Sequence, residues 1–85
     1  MKQPDAGFEG LPPGDRVGMA VLKFERGEMQ LALLRREDGV VWFHGGTPFG
    51  RPLATTAAAV QFLRNLCEVY NYTLELTQTQ DEGPP

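Results

Sequence analysis

Apolar residues recur in three short runs between residues 16 and 44, broken by charged, glycine-containing turns. RVGMAVLKFE (16–25) and MQLALLRR (29–36) are rich in aliphatic and β-branched residues, and both read as strands. The RGE between them is short enough for a hairpin connection, with Gly27 supplying the turn's backbone angles. EDG then leads into VVWFH (40–44). Runs of this length joined by loops this short predict an antiparallel meander. The glycine- and proline-rich stretch that follows, residues 45–54, reads as a loop.

TTAAAVQFLRNLCEVY (55–70) has a helical period. Thr55 or Thr56 can cap it, and the three alanines favour its first turns. Gln61, Arg64, Asn65 and Glu68 recur at helical spacing and form one polar stripe, on which Arg64 and Glu68 can pair. Val60, Phe62, Leu63, Leu66, Cys67 and Val69 cover an apolar arc wider than the ~100° one sheet requires. Asn71 is a helix stop, and YTLELTQ (72–78) alternates, with Tyr72, Leu74 and Leu76 on one face. The pattern predicts an α+β domain of order βββαβ, a single layer of helix on sheet, over residues 16–78. Residues 1–15 read as a flexible arm with Phe8 and Leu11 as its anchors, and residues 79–85 as a disordered tail.

The strand faces add a packing problem. In the first strand Val17, Met19 and Val21 oppose Ala20, Leu22 and Phe24, and in the second Met29, Leu31 and Leu33 oppose Gln30, Ala32, Leu34 and Arg36. One helix cannot cover apolar residues on both faces of a sheet. Either the tails fold over the second face or another chain does. The expected interface therefore includes Ala20, Leu22, Phe24, Leu34, Val60 and Val69, and the expected partner is another protein or a second copy, as a homodimer.

Composition narrows the function classes. A chain of 85 residues buries roughly 60% of its unfolded surface, so its core is small. The net charge of −3 weighs against coating of duplex DNA or an anionic membrane by charge alone. Cys67 is the only cysteine, which excludes an intramolecular disulfide and a cysteine-based zinc site. The first residues lack the basic-then-apolar layout of a signal peptide, and no apolar run approaches the ~18–20 residues of a membrane span. The expected location is cytoplasmic.

Candidate chemistry is sparse. His44, the only histidine, ends a strand beside Gly45 and Gly46, but no acid, serine or cysteine lies near it in sequence. Cys67 lies on the apolar arc of the helix and reads as a small buried hydrophobe. The acidic residues Glu25, Glu28, Glu37, Asp38, Glu68 and Glu75 are scattered, so no metal and no cofactor is expected. Gly45, Gly46, Thr47, Gly50 and Arg51 precede the helix N-terminus, where an anion could sit, although the lysine of a phosphate-binding loop is missing.

The stretch GMAVLKFERGEMQLALLRREDGVVWFHGGTPFGRPLATTAAAVQFLRNL resembles the first half of a Nudix hydrolase domain, in which two strands lead to a third ending in Trp and a Gly-Gly pair, then a loop and a helix. With Gly46 as the first glycine of the Nudix box, its loop Glu falls on Pro52, its Arg-Glu pair on Val60 and Gln61, and two metal-binding glutamates on Arg64 and Asn65; Phe62 keeps the expected apolar character. Those glutamates hold the magnesium that activates water, which Gln and Asn bind poorly and Arg opposes. The resemblance implies a truncated, catalytically silent relative. A ribonuclease-H-like βββαβ start is a similar echo that also lacks its acids.

Three function classes follow. The first is a non-catalytic protein-binding or regulatory module, of the kind a phage inhibitor or adaptor would be. The second is a single-stranded nucleic-acid binder that stacks bases on Trp42, Phe43, His44 and Phe49 and holds the backbone with Arg35, Arg36 and Arg51. The third is a small enzyme with a His44/Arg51 anion site.

Overall fold

The computed structural model describes residues 10–79. Strands β1 (Asp15–Phe24), β2 (Gly27–Arg36), β3 (Gly39–His44) and β4 (Thr47–Leu53) are followed by helix α1 (Thr56–Tyr70) and strand β5 (Thr73–Thr79). They form one five-stranded sheet of order β4-β3-β2-β1-β5, antiparallel at every step. The α+β class holds, but the order is ββββαβ. Residues 47–53, expected as loop, are a strand. The Gly45–Gly46 turn, with Gly45 at φ 60°, closes the hairpin between His44 and Thr47. Pro48 and Pro52 mask the strand pattern, yet proline is tolerated there because β4 is an edge whose outward positions need no N–H donor.

The helix forms as its sequence dictates. Thr55 caps it, its Oγ1 accepting the Ala58 N–H at 3.0 Å. Asn71 sits in the left-handed region at φ 61° and ψ 40°, and the Tyr72 N–H donates to the Cys67 carbonyl at 2.9 Å, a Schellman-type close. Thr56, Ala59, Leu63 and Cys67, three or four residues apart, are its buried positions. Ala59, Leu63 and Cys67 share one core with Val17, Ala20, Leu22, Leu31, Leu33, Val40 and Trp42. Between β4 and β5 the chain thus passes from one edge of the sheet to the other.

Burial corrects the expected interface. Ala20 and Leu22 are about 1% exposed and Leu34 2%. Phe24 and Val60 are partly buried against the main core. Ala20, Leu22 and Leu34 are therefore structural, Phe24 and Val60 are half-buried, and only Val69 of the six is an exposed large hydrophobic residue. Val17 also moves: a register irregularity between Arg16 and Gly18 brings it into the same core as Ala20 and Leu22, where strict alternation would oppose them.

The second face is covered partly from within the chain. Leu34, Val41 and Phe43 form a separate small core, and Leu11 packs against it. Arg36 lies over the Phe43 ring at 5.7 Å and donates to the Pro13 carbonyl at 3.1 Å. Residues 10–14, assigned by sequence to a flexible arm, therefore lie against the sheet, and Asp15 already belongs to β1. Of the expected tail 79–85, Thr79 belongs to β5, and Phe8 and residues 80–85 lie outside the described residues.

Candidate functional site

The glycine-rich stretch does not assemble at the helix N-terminus. Gly45 and Gly46 turn the β3–β4 hairpin, and all of β4 separates them from Thr55. His44 ends β3, exposed, with its Nδ1 at 3.2 Å from the Gln30 carbonyl. Arg51 is exposed on β4, four residues beyond Thr47, the register partner of His44, or about 13 Å of strand at ~3.3 Å per residue. The expected anion site and the His44/Arg51 pair are both taken apart by this strand.

The aromatic residues proposed for base stacking are dispersed as well. Trp42 is 1% exposed, and its Nε1 donates to the Ala59 carbonyl at 2.8 Å, which ties β3 to α1. Phe43, its neighbour in the strand, belongs to the small core on the opposite face, as alternation requires. Phe49 pairs with Trp42 across the β3–β4 register and meets Phe62 edge-on at 6.5 Å. Stacking platforms need an open ring face, and Trp42 and Phe43 have none to offer. Arg35 and Arg36 line an open groove with Asp15, Glu37 and Asp38, so their charge is matched locally.

Cys67 is buried, and burial pushes its thiol pKa above the ordinary value, which keeps it a neutral apolar group. Among the described residues no group of three or more His, Cys, Asp or Glu converges to hold a metal ion. No helix among them is long and apolar enough to cross a membrane.

The uncommitted surface lies where α1 ends and β5 begins. Val69 is 75% exposed and Tyr70 60%. Tyr70 stacks on Tyr72 at 5.6 Å, and Tyr72 meets Phe24 at 4.9 Å, so an aromatic row runs from the helix end across β5 to β1. Beside it an open groove of about 500 Å³ runs between α1 and β5, with Arg64, Glu68 and Asn71 along one side and Tyr72 and Leu74 along the other. Along Tyr72 and the first residues of β5, the half-buried Tyr72, Leu74 and Leu76 alternate with exposed Thr73 and Glu75, and Glu75 pairs with Lys23 at 3.1 Å. The helix's polar stripe is tied by Gln61 donating to Asn65 at 3.0 Å.

Of this surface, Val69 and Phe24 were anticipated from the sequence. Tyr70 and the β5 edge were missed, although one signal was present: the stretch 47–53 carries two prolines and 72–79 carries none. No family model, curated protein or solved structure matches the chain.

Proposed function

We propose that the chain is a non-catalytic protein-binding module that engages its partner through the β5 edge and the exposed end of α1 at Val69 and Tyr70. The observation that carries this reading is the difference between the two sheet edges. β4 has Pro48 and Pro52 in its seven residues, which blunt it against strand addition, whereas β5 pairs with β1 on one side and has no proline. An edge of this kind, beside the exposed Tyr70 stacked on Tyr72, is suited to binding an extended segment by sheet extension. In this reading a single layer of helix covers one sheet face, and the module acts in the cytoplasm as a small regulator or adaptor. A catalytically silent Nudix-like descent belongs to the same proposal: the positions assigned to metal-binding glutamates are the exposed Arg64 and Asn65.

The test compares the immobilised wild-type chain with a Val69→Asp, Tyr70→Asp double variant in an extract of the native source, scored by mass spectrometry. Both side chains are largely exposed, so the variant keeps its fold. Proteins retained by the wild type, the chain itself included, are expected to be lost from the variant. Identical retained sets would overturn the reading. Magnesium-dependent phosphate release from nucleoside diphosphate derivatives, abolished by Gln61→Ala, would overturn its non-catalytic part.

A further inference from the structure

We infer that the occupant of the β5 edge is a second copy of this chain, docked strand to strand over Tyr72–Leu76 about a two-fold axis at Leu74. The inference rests on the reading of β5 as the binding edge and names its partner. Any extended strand can satisfy the outward N–H and C=O groups of an edge. The side chains narrow the choice. The incoming strand needs apolar residues at alternate positions on the α1 side, polar residues on the other side and no proline. β5 with the preceding Tyr72 has this pattern, Tyr72, Leu74 and Leu76 being half-buried and Thr73 and Glu75 exposed between them.

An antiparallel two-fold pairing that keeps the apolar residues of both copies on the α1 side can be centred in few ways. Centred on Glu75, it sets two carboxylates directly opposite each other, which destabilises a ladder. Centred on Leu76, it runs into the irregularity of β5, where Ala20 and Met19 of β1 pair with Leu76 and Gln78 and leave residue 77 unpaired. Centred on Leu74, it uses only the regular part of the strand. Leu74 then meets Leu74, Tyr72 meets Leu76, and Thr73 meets Glu75 of the second copy. The half-buried apolar residues of both strands become one strip between the two helices, flanked by Tyr70 from each. On the polar side Thr73, already opposite Lys23 in its own sheet, gains Glu75 of the second copy as its other neighbour. The two sheets become one of ten strands whose remaining edges both hold Pro48 and Pro52, so assembly stops at the dimer.

Charge at residue 73 tests this register. Thr73 is exposed and lies opposite Lys23 in its own sheet. Across the dimer axis Thr73→Glu is unfavourable and Thr73→Lys favourable, because each faces Glu75 of the second copy, whereas within one chain residue 73 lies between Lys23 opposite and Glu75 on the same face, which already pair at 3.1 Å and largely cancel. Sedimentation equilibrium of the full chain is expected to give a mass twice 9.4 kDa at high micromolar concentration. Thr73→Glu should weaken the dimer about ten-fold and Thr73→Lys tighten it severalfold, while urea denaturation of dilute monomer gives the two variants similar stabilities. A single 9.4 kDa species overturns the inference, as do equal dimerisation constants for the two variants. Where the chain is monomeric and the Val69, Tyr70 double variant still loses a different retained protein, the homodimer falls and the binding edge stands. Where nothing is lost either, both fall.

Discussion

Trp42 joins strand to helix through one large side chain and one hydrogen bond. Its indole is buried in the main core, and its N–H reaches the Ala59 carbonyl at 2.8 Å. Trp42→Phe keeps most of the apolar volume but removes the donor and leaves a small void, and it should cost about 2 kcal/mol in urea denaturation followed by circular dichroism. Trp42→Ala should cost ~3–5 kcal/mol. Cys67 makes a prediction in pH. Because burial raises its folded-state pKa, the folded chain holds the thiol proton where the unfolded chain has already released it. Its contribution is thus complete below the ordinary thiol range and declines as pH rises from there through the raised value. Denaturation series above neutrality should show that decline, and Cys67→Ala should remove it; an unchanged slope in the variant would refute the assignment. At this scale the sequence was legible where local chemistry decides. Thr55 and Asn71 cap the helix as their side-chain oxygen and tolerance of positive φ imply. The fates of Trp42 and Phe43 were not legible, because adjacent strand residues face opposite sides and the sequence alone did not say that both sides are filled.

The elements show the same division more sharply. Helix α1 and strand β5 came within a residue of their expected bounds because their periods are clean and their ends carry caps. β4 did not, since Pro48, Gly50 and Pro52 are loop residues by composition and become a strand only because β3 offers an edge. The irregular register between Val40 and Trp42 accommodates that strand, and Gly39 makes its far end feasible. Gly39 has φ 133°, and a Cβ placed there would lie 2.6 Å from the Leu53 carbonyl oxygen. Gly39→Ala thus combines an unfavourable backbone with a backbone clash, and should destabilise by ~2–4 kcal/mol in a urea titration. Thr55→Ala removes only a helix cap, and about 1 kcal/mol is expected from the same measurement. A cost at Gly39 no larger than at Thr55 would show that the β3–β4 hairpin relaxes around the new side chain. The candidate edge at β5 was hidden for a related reason: strand order, not strand content, decides which elements are edges, and α1 sends β5 to the side of β1 instead of back to β4.

The whole molecule has two unequal cores. The larger lies between sheet and helix, while the smaller, Leu34, Val41 and Phe43, lies on the other face with Leu11 packed against it. The sequence posed the problem of a sheet apolar on both faces and left open whether a tail or another chain covers the second, because the backbone route of residues 10–14, which supply part of that cover, has no periodic signal. Those residues hold the second face by few contacts: the Leu11 side chain, and the Arg36 guanidinium, which donates to Pro13 and lies over Phe43. Leu11→Asp would place a carboxylate against three apolar side chains, over one of which, Phe43, the Arg36 guanidinium lies. The loss of apolar burial and the desolvation of the new charge together should cost ~1–3 kcal/mol in urea denaturation, with increased binding of an apolar dye as the small core opens. Val69→Asp, at a residue 75% exposed, should leave stability within ~0.5 kcal/mol of wild type. Equal small effects at both positions would mean that segment 10–14 contributes nothing to the fold. The second face would then be an open apolar surface, and the interface would have to be sought there instead of at β5.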